Sequence, residues 1–382
     1  MKRIPALLLA AVLAISLLPR RAFAVNLELN AKSALLMDVA TGTVLFEKDC
    51  HERLAPASVT KVMTMLLIME AVDSGKILLT DQVTASEAAA AKGGSQIYLK
   101  VGETMPVSDM LKSIAVSSAN DCACAMAELL AGSESAFVEQ MNKRAEELGM
   151  ADTHFVNCTG LDDSPEAKDH RTSAYDIALM SRELLKNHPD IKKFTTIWMD
   201  TIRGGAFGLS NTNKMVRFYS GATGLKTGFT SGAGYCLFAS AQREGMELVA
   251  VVMGAESSQV RFAACKQMLD YGFANYALYV PELPGRARVA VSLGKADGVN
   301  AVLRGDNAIL VEKGTKNSIT SEVSLEGAVT APVAGGQRLG TLTIRSNDRV
   351  LAELPLVAEG AVERVDWGDL FVRVLKRVAM AG

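Results

Sequence analysis

Three short motifs carry residue types that could act together: Ser58-Val59-Thr60-Lys61, Ser118-Ala119-Asn120 and Lys226-Thr227-Gly228. Ser-x-x-Lys and Ser-x-Asn each occur by chance roughly once in a chain of this length. Order and setting therefore have to give them meaning. A serine hydroxyl is a poor nucleophile until a neighbouring group takes its proton. Lys61 is spaced to lie near the Ser58 hydroxyl. An ordinary lysine is protonated at neutral pH, but burial, with a second cation such as Lys226 nearby, would lower its pKa enough to make it a base. The chemistry this points to is acyl transfer from serine with a lysine base and no histidine relay.

The elements around the motifs favour that reading. Residues Val59 to Val72 are apolar nearly all round, which predicts a helix buried in a core with Ser58 in its first turn. There the free backbone N–H groups and the positive end of the dipole favour a developing oxyanion. A capping serine followed by a surface lysine, the bland reading, does not fit a helix apolar on every face. Ser118 and Asn120 precede a helix predicted to begin near Asp121. By itself Ser-x-Asn there is an N-cap. Beside Lys61, the Ser118 hydroxyl could instead relay a proton to a leaving amine, and the Asn120 amide could hold a substrate carbonyl. Lys226 offers charge to a carboxylate, Thr227 a hydroxyl, and Gly228 lets a substrate backbone approach the strand that leads to Tyr235. The alternative is a turn with an exposed lysine. Gly221–Leu225 is read as flexible enough to shape one wall of a cleft.

Composition and ends bound the setting. Met1-Lys2-Arg3, an apolar run to Leu18 and Ala22-Phe23-Ala24 read as a cleaved export signal, residues 1–24. Its loss moves the net charge from −2 to about −6, because Lys2, Arg3, Arg20 and Arg21 go with it. A mildly acidic chain gives no reason to expect nucleic acid. The six cysteines show no ligand spacing, and are read mostly as small buried side chains with no metal site and no cofactor.

Along the chain, Ser33–Asp38 and Val44–Lys48 predict a hairpin, and Tyr235–Ala241 and Leu248–Met253 a second one. Helical spacing recurs through Val107–Ile114 and Phe137–Leu148, and a helix is predicted from Gln259 to Tyr279. A sheet faced by helices, with a mainly helical insert, accounts for residues 25–280. From Pro281 the chain turns to short alternating runs, Arg288–Leu293, Ala308–Glu312, Ser318–Leu325, Arg338–Ile344 and Val350–Leu356. That pattern predicts a small all-β domain over 281–366. Residues 367–382 read as an amphipathic helix, with Trp367, Leu370, Phe371, Val374, Leu375 and Val378 on one arc and Asp369, Arg373, Lys376 and Arg377 opposite. Too short and charged to cross a bilayer, it would lie at an anionic membrane surface. A helix packed on the β domain is the alternative.

The three motifs in this order mark penicillin-binding proteins and class A β-lactamases. With Gly93-Gly94-Ser95, Leu99-Lys100-Val101-Gly102-Glu103, Gly160-Leu161-Asp162 and Thr172-Ser173-Ala174-Tyr175-Asp176, the chain resembles the D-alanyl-D-alanine carboxypeptidases, low-molecular-weight penicillin-binding proteins of serine peptidase family S11. The resemblance runs from about Ala31 to the carboxyl end. It implies an α/β (α+β) fold class: a penicillin-binding transpeptidase or serine β-lactamase-like domain with an antiparallel sheet faced by helices, plus the all-β domain. It implies Ser58 as acylated nucleophile and Lys61 as base, with Ser118 and Asn120 assisting from the opposite wall. Lys226 and Thr227 would bind the substrate carboxylate with Arg261 in support. The N–H groups of Ser58 and Phe229 would form the oxyanion hole. Some members carry histidine at the positions of Phe229 and Thr159.

The implied substrate is the peptidoglycan pentapeptide stem, with β-lactams as covalent inhibitors. The implied location is the outer face of the cytoplasmic membrane, with peripheral contact through the terminal helix. A DD-endopeptidase, a serine β-lactamase and a non-catalytic wall-binding module are the rivals. The segment Gly160 to Ala167 lacks the Glu-x-x-x-Asn pattern a β-lactamase would use to hydrolyse its acyl-enzyme. Intact Ser58, Lys61, Ser118, Asn120 and Lys226 argue against binding alone.

Overall fold

The computed structural model describes residues 27–371; the predicted export signal and residues 372–382 of the predicted terminal helix lie outside them. The chain divides into two compact units, one of Met1–Gln242 with Glu247–Asp270, the other of Arg243–Met246 with Tyr271–Gly382.

The first unit is built on a five-stranded sheet in the order Val44–Lys48, Ser33–Asp38, Met246–Ala255, Gly234–Arg243, Ala222–Thr230. Ser33–Asp38 is antiparallel to both neighbours, pairing Leu36 with Phe46 on one side and with Ala250 on the other. The central strand Met246–Ala255 is almost wholly buried, as its unbroken apolar run requires of a strand covered on both faces. On one face lies the Ser258–Asn275 helix, where Cys265 Sγ sits 3.6 Å from the Ala250 carbonyl and 3.8 Å from that of Leu237. The Lys61–Asp73 helix runs through the main core, and Val62, Met63, Met65, Leu66 and Ile68 are all fully buried. Burying side chains of this size contributes about 1.5–3 kcal/mol each, which is why this helix needs no polar face. Around it pack the helices Val107–Ser117, Asn120–Ala131, Glu134–Glu147 and Ala174–Asn187. Ser133 and Ser173 cap the last two by accepting from Ala136 N–H and Asp176 N–H.

All six cysteines are free and buried, as their lack of spacing suggested. Two expectations need correction. The helix predicted to Tyr279 ends at Asn275, and Tyr276–Tyr279 is a strand paired with Ile309–Glu312. Aromatic Tyr276 and Tyr279 suit a strand once a partner lies alongside, and a single-sequence pattern does not reveal that partner. Most of Gly221–Leu225, read as flexible, belongs to the Ala222–Thr230 strand, which pairs with Gly234–Arg243 with a register irregularity between Ala222 and Gly224.

The second unit is all-β after the end of the long helix. Its six-stranded sheet runs Ile319–Leu325, Arg338–Ser346, Arg349–Ala358, Gly298–Leu303, Arg288–Ser292, Ala328–Thr330. Asn347-Asp348 makes a two-residue hairpin, with Asn347 at φ +50° as such turns demand. Val289, Ala301, Leu342, Ile344 and Leu356 form its core.

Candidate active site

Ser58 sits in the 3-10 turn Ala57–Thr60 that leads directly into the Lys61–Asp73 helix. The α-helix thus begins at Lys61 itself, two residues later than its sequence pattern suggested. The tighter turn eclipses residues three apart, which brings Lys61 Nζ to 3.1 Å from Ser58 Oγ. Lys61 is fully buried, and its amine also donates to the Thr159 carbonyl at 2.8 Å. Burial lowers its pKa from 10.5 to about 7. That change raises the free amine at pH 7 from about one in 3,000 to about one half. Lysine is thereby able to accept a proton. Burial does this work; the sequence reading had shared it with the charge of Lys226.

Ala222–Thr230 is an edge strand, so one side of its backbone is open for a further chain to pair with. It passes very close to the serine turn. A Cβ on Gly228 would lie 2.9 Å from the Pro56 carbonyl oxygen and 3.2 Å from Ser58 N, so only glycine permits that approach. Lys226 is fully buried and donates to the Thr227 carbonyl at 3.0 Å. Burial first, and then the charges of Lys61 and Arg261, push its pKa well down. Thr227 Oγ1 donates to Thr212 Oγ1 at 2.7 Å, and Thr212 N–H donates to the Val116 carbonyl. The strand is thereby tied to the helix that carries the opposite wall.

On that wall Ser118 ends the Val107–Ser117 helix in the left-handed region, at φ +63°. It is a C-cap residue, not the N-cap its motif would give alone. Asn120 begins the next helix, donates from Nδ2 to the Gly93 carbonyl at 2.7 Å, and takes the Ser95 carbonyl on its own N–H. Ser118 Oγ and Asn120 Oδ1 are both buried and have no hydrogen-bond partner. Orphaned buried polar atoms are costly, and the non-glycine φ of Ser118 beside them adds strain at the same place. The neighbouring Asp121 carboxylate, also buried, accepts N–H bonds from Ile97 and Leu99 at 3.1 Å each. It locks the 93–99 loop against this wall, and no motif flagged it.

Arg261 donates to the main-chain carbonyls of Gly228 at 2.8 Å and Cys236 at 3.1 Å. It braces the edge strand from the helix behind it and adds positive charge beneath it. Phe229 is exposed, its ring 4.3 Å from that of Tyr235. The structure therefore gathers Ser58, Lys61, Gly228 and Arg261 into one chain of contacts, and Thr227 with Thr212 links the two walls.

The sequence profile of the D-alanyl-D-alanine carboxypeptidases matches residues 20–257. The chain belongs to that family. The C-terminal domain of penicillin-binding protein 5 matches residues 285–364, which is the all-β region. D-alanyl-D-alanine carboxypeptidase DacF of Bacillus subtilis is 44% identical over 354 residues, covering 91% of this chain and 89% of that protein. Penicillin-binding protein 5 of Haemophilus influenzae superposes with a TM-score of 0.78 at 29% identity, covering 89% of this chain and all of that one. Ampicillin-bound penicillin-binding protein D2 of Listeria monocytogenes gives a TM-score of 0.60 at 31% identity, over 65% of this chain and all of that structure. This carboxypeptidase is thus a mixed α/β serine hydrolase of the low-molecular-weight penicillin-binding group.

Two residue pairs that support this carboxypeptidase site escaped the sequence reading. Thr159 supplies the carbonyl for Lys61 from 98 positions away. Thr60 and His170 are hydrogen-bonded at 2.7 Å just beneath the serine turn. Thr60 lies inside the first motif, which was the signal available.

Proposed function

We propose that the protein removes the terminal D-alanine from peptidoglycan pentapeptide stems through an acyl-enzyme on Ser58, and that β-lactams trap the same serine. The observation that carries this is the fully buried Lys61 amine, 3.1 Å from Ser58 Oγ, with its pKa near 7. Lys61 takes the serine proton as Oγ attacks the penultimate D-alanine carbonyl. The N–H groups of Ser58 and Phe229 receive the oxyanion. The terminal carboxylate pairs with Lys226 and Thr227, whose proton affinity rises as the anion arrives. Ser118 passes the proton to the departing amine. Asn120 Nδ2 already donates to the Gly93 carbonyl, so the amide offers its unpartnered Oδ1 to an N–H of the stem in place of the substrate carbonyl the sequence suggested. Arg261 serves by holding the Gly228 carbonyl, and so the edge strand, in place. The ampicillin-bound relative agrees with the inhibitor assignment. Incubating the protein with a pentapeptide stem and weighing the products tests the reading. Loss of one D-alanine is expected; an unaltered stem would overturn it.

The organisation proposed with this function is an exported enzyme: signal 1–24, catalytic domain 25–280, β domain 281–366 and a membrane-associating helix 367–382, on the outer face of the cytoplasmic membrane. No helix among the described residues is long and apolar enough to cross a membrane. The first turn of the last helix supports surface contact instead. Asp366 and Asp369 cap it reciprocally, and Trp367, Leu370 and Phe371 are 88%, 39% and 66% exposed. Truncation after Asp366 is expected to leave carboxypeptidase turnover intact while binding to anionic vesicles is lost. Equal vesicle binding by the truncated and longer chains in a sedimentation assay would remove the anchor assignment.

A further inference from the structure

The peptide unit between Ala57 and Ser58 carries the N–H assigned to the oxyanion hole, and its other end is held with unusual care. Ala57 lies at φ +50°, a conformation costly for a residue with a Cβ. Its carbonyl oxygen accepts from Thr60 Oγ1 at 2.9 Å. Thr60 Oγ1 in turn lies 2.7 Å from His170 Nε2, and His170 Nδ1 accepts from Val156 N–H at 3.1 Å. These bonds leave one consistent arrangement. Since Nδ1 receives a proton donor, the neutral ring carries its own proton on Nε2 and donates it to Thr60, and the single Thr60 proton goes to Ala57. Burial, with the nearby charges of His154, Arg171 and Lys61, lowers the His170 pKa to about 4, so the ring is neutral at working pH. Phe155 packs edge-on against it. Gly160, at φ +81°, packs against the same junction: a Cβ there would stand 1.8 Å from the Ala57 oxygen and 2.8 Å from Thr60 Oγ1.

We infer that His170 and Thr60 are positioning residues for the oxyanion hole, acting through the Ala57–Ser58 peptide. The inference rests on the Ser58 assignment above and deepens it. A trans peptide is planar, with its C=O and N–H pointing in opposite directions. Fixing the Ala57 carbonyl toward Thr60 therefore aims the Ser58 N–H away from Thr60, to the side where a Cβ on Gly228 of the edge strand would stand 3.2 Å from Ser58 N. A hydrogen-bond donor aimed before the reaction begins has no reorganisation to undergo in the transition state. The strained φ at Ala57 persists because the Thr60 hydroxyl holds its carbonyl while Gly160 packs tightly against the same oxygen.

Complete loss of an oxyanion donor lowers kcat about 10²–10³-fold; loosening its peptide should cost less. Thr60→Val keeps the shape and removes the hydroxyl. It is expected to slow Ser58 acylation by a fluorescent penicillin about tenfold or more, and to lower kcat for stem hydrolysis equally with KM within about twofold. Thr60→Ser, which restores the hydroxyl, is expected to recover the rate to within about threefold. His170→Leu should fall with Thr60→Val, whereas His170→Gln, keeping a donor toward Thr60, should stay near Thr60→Ser. This second pair decides the matter if Thr60→Val does not fold. A purely structural role would lower the melting temperature and leave the acylation rate per folded molecule within threefold of the parent. That result, or serine failing to rescue, would overturn the inference. Labelling that survives Ser58→Ala would instead overturn the reading beneath it.

Discussion

Ser58→Ala is expected to abolish both D-alanine release and covalent labelling by penicillin. The substitution removes one oxygen from Ser58, the half-buried residue of the otherwise buried turn Ala57–Thr60, and leaves the helix behind it intact, so the fold should survive with an unaltered circular dichroism spectrum. The Thr60 hydroxyl, 2.7 Å from His170 Nε2, is no rival, because the ring donates to it and its own proton goes to the Ala57 carbonyl. The cysteines nearest in space, Cys158 among them, are buried thiols whose pKa is pushed up, which keeps them protonated and unreactive. Loss of the acylated nucleophile typically costs on the order of 10⁶-fold in kcat. Mass spectrometry of the penicillin adduct checks the result, and a retained adduct would move the nucleophile elsewhere.

Lys61→Arg keeps charge and nearly keeps length, yet is expected to lower acylation by at least about 10³-fold. Arginine remains protonated at any working pH and so cannot take the serine proton. In the parent enzyme, Lys61 is cationic below its pKa of about 7 and free amine above it. Acylation should therefore rise as the pH passes upward through about 7, and fall away on the acid side as the amine protonates. The stopped-flow rate of penicillin acylation against pH reads this directly. Near-parental rates in Lys61→Arg would transfer the base role to Lys226, whose pKa is also pushed down. A flat profile between pH 6 and 8 would separate Lys61 from the rate-limiting proton transfer.

Much of this site was written in local spacing. A spacing of three positions from Ser58 to Lys61, on a run with no polar face, forces both into a helix start inside a core, and burial of the lysine follows. The hairpin of Ser33–Asp38 and Val44–Lys48 was legible for the same reason, since strand pattern and turn residues act over a few positions. So were most strands of the all-β region. Gly298–Leu303 and Ala328–Thr330 were missed: the first includes Asn300, and the second has only three residues. Their pairing with Arg288–Ser292 on either side makes them strands.

What the sequence by itself determined is the chemistry available: an ordered Ser-x-x-Lys, Ser-x-Asn and Lys-Thr-Gly, and the periodicities that place the first on a buried helix and the last on a strand. Tertiary structure alone decided how those groups are aimed. The second partner of Lys61 is a carbonyl 98 residues away, Gly228 reaches the serine turn across the cleft, and His170 reaches Thr60 across 110 positions. Ser118 became a left-handed C-cap, which its motif alone would make an N-cap. Arg261 turned its guanidinium to the main chain of the strand. Hydrogen-bond direction and backbone strain depend on where distant segments pack, and a linear pattern holds no record of that packing. Residue type sets what a group can do; the fold sets the ångström and the angle at which it does so.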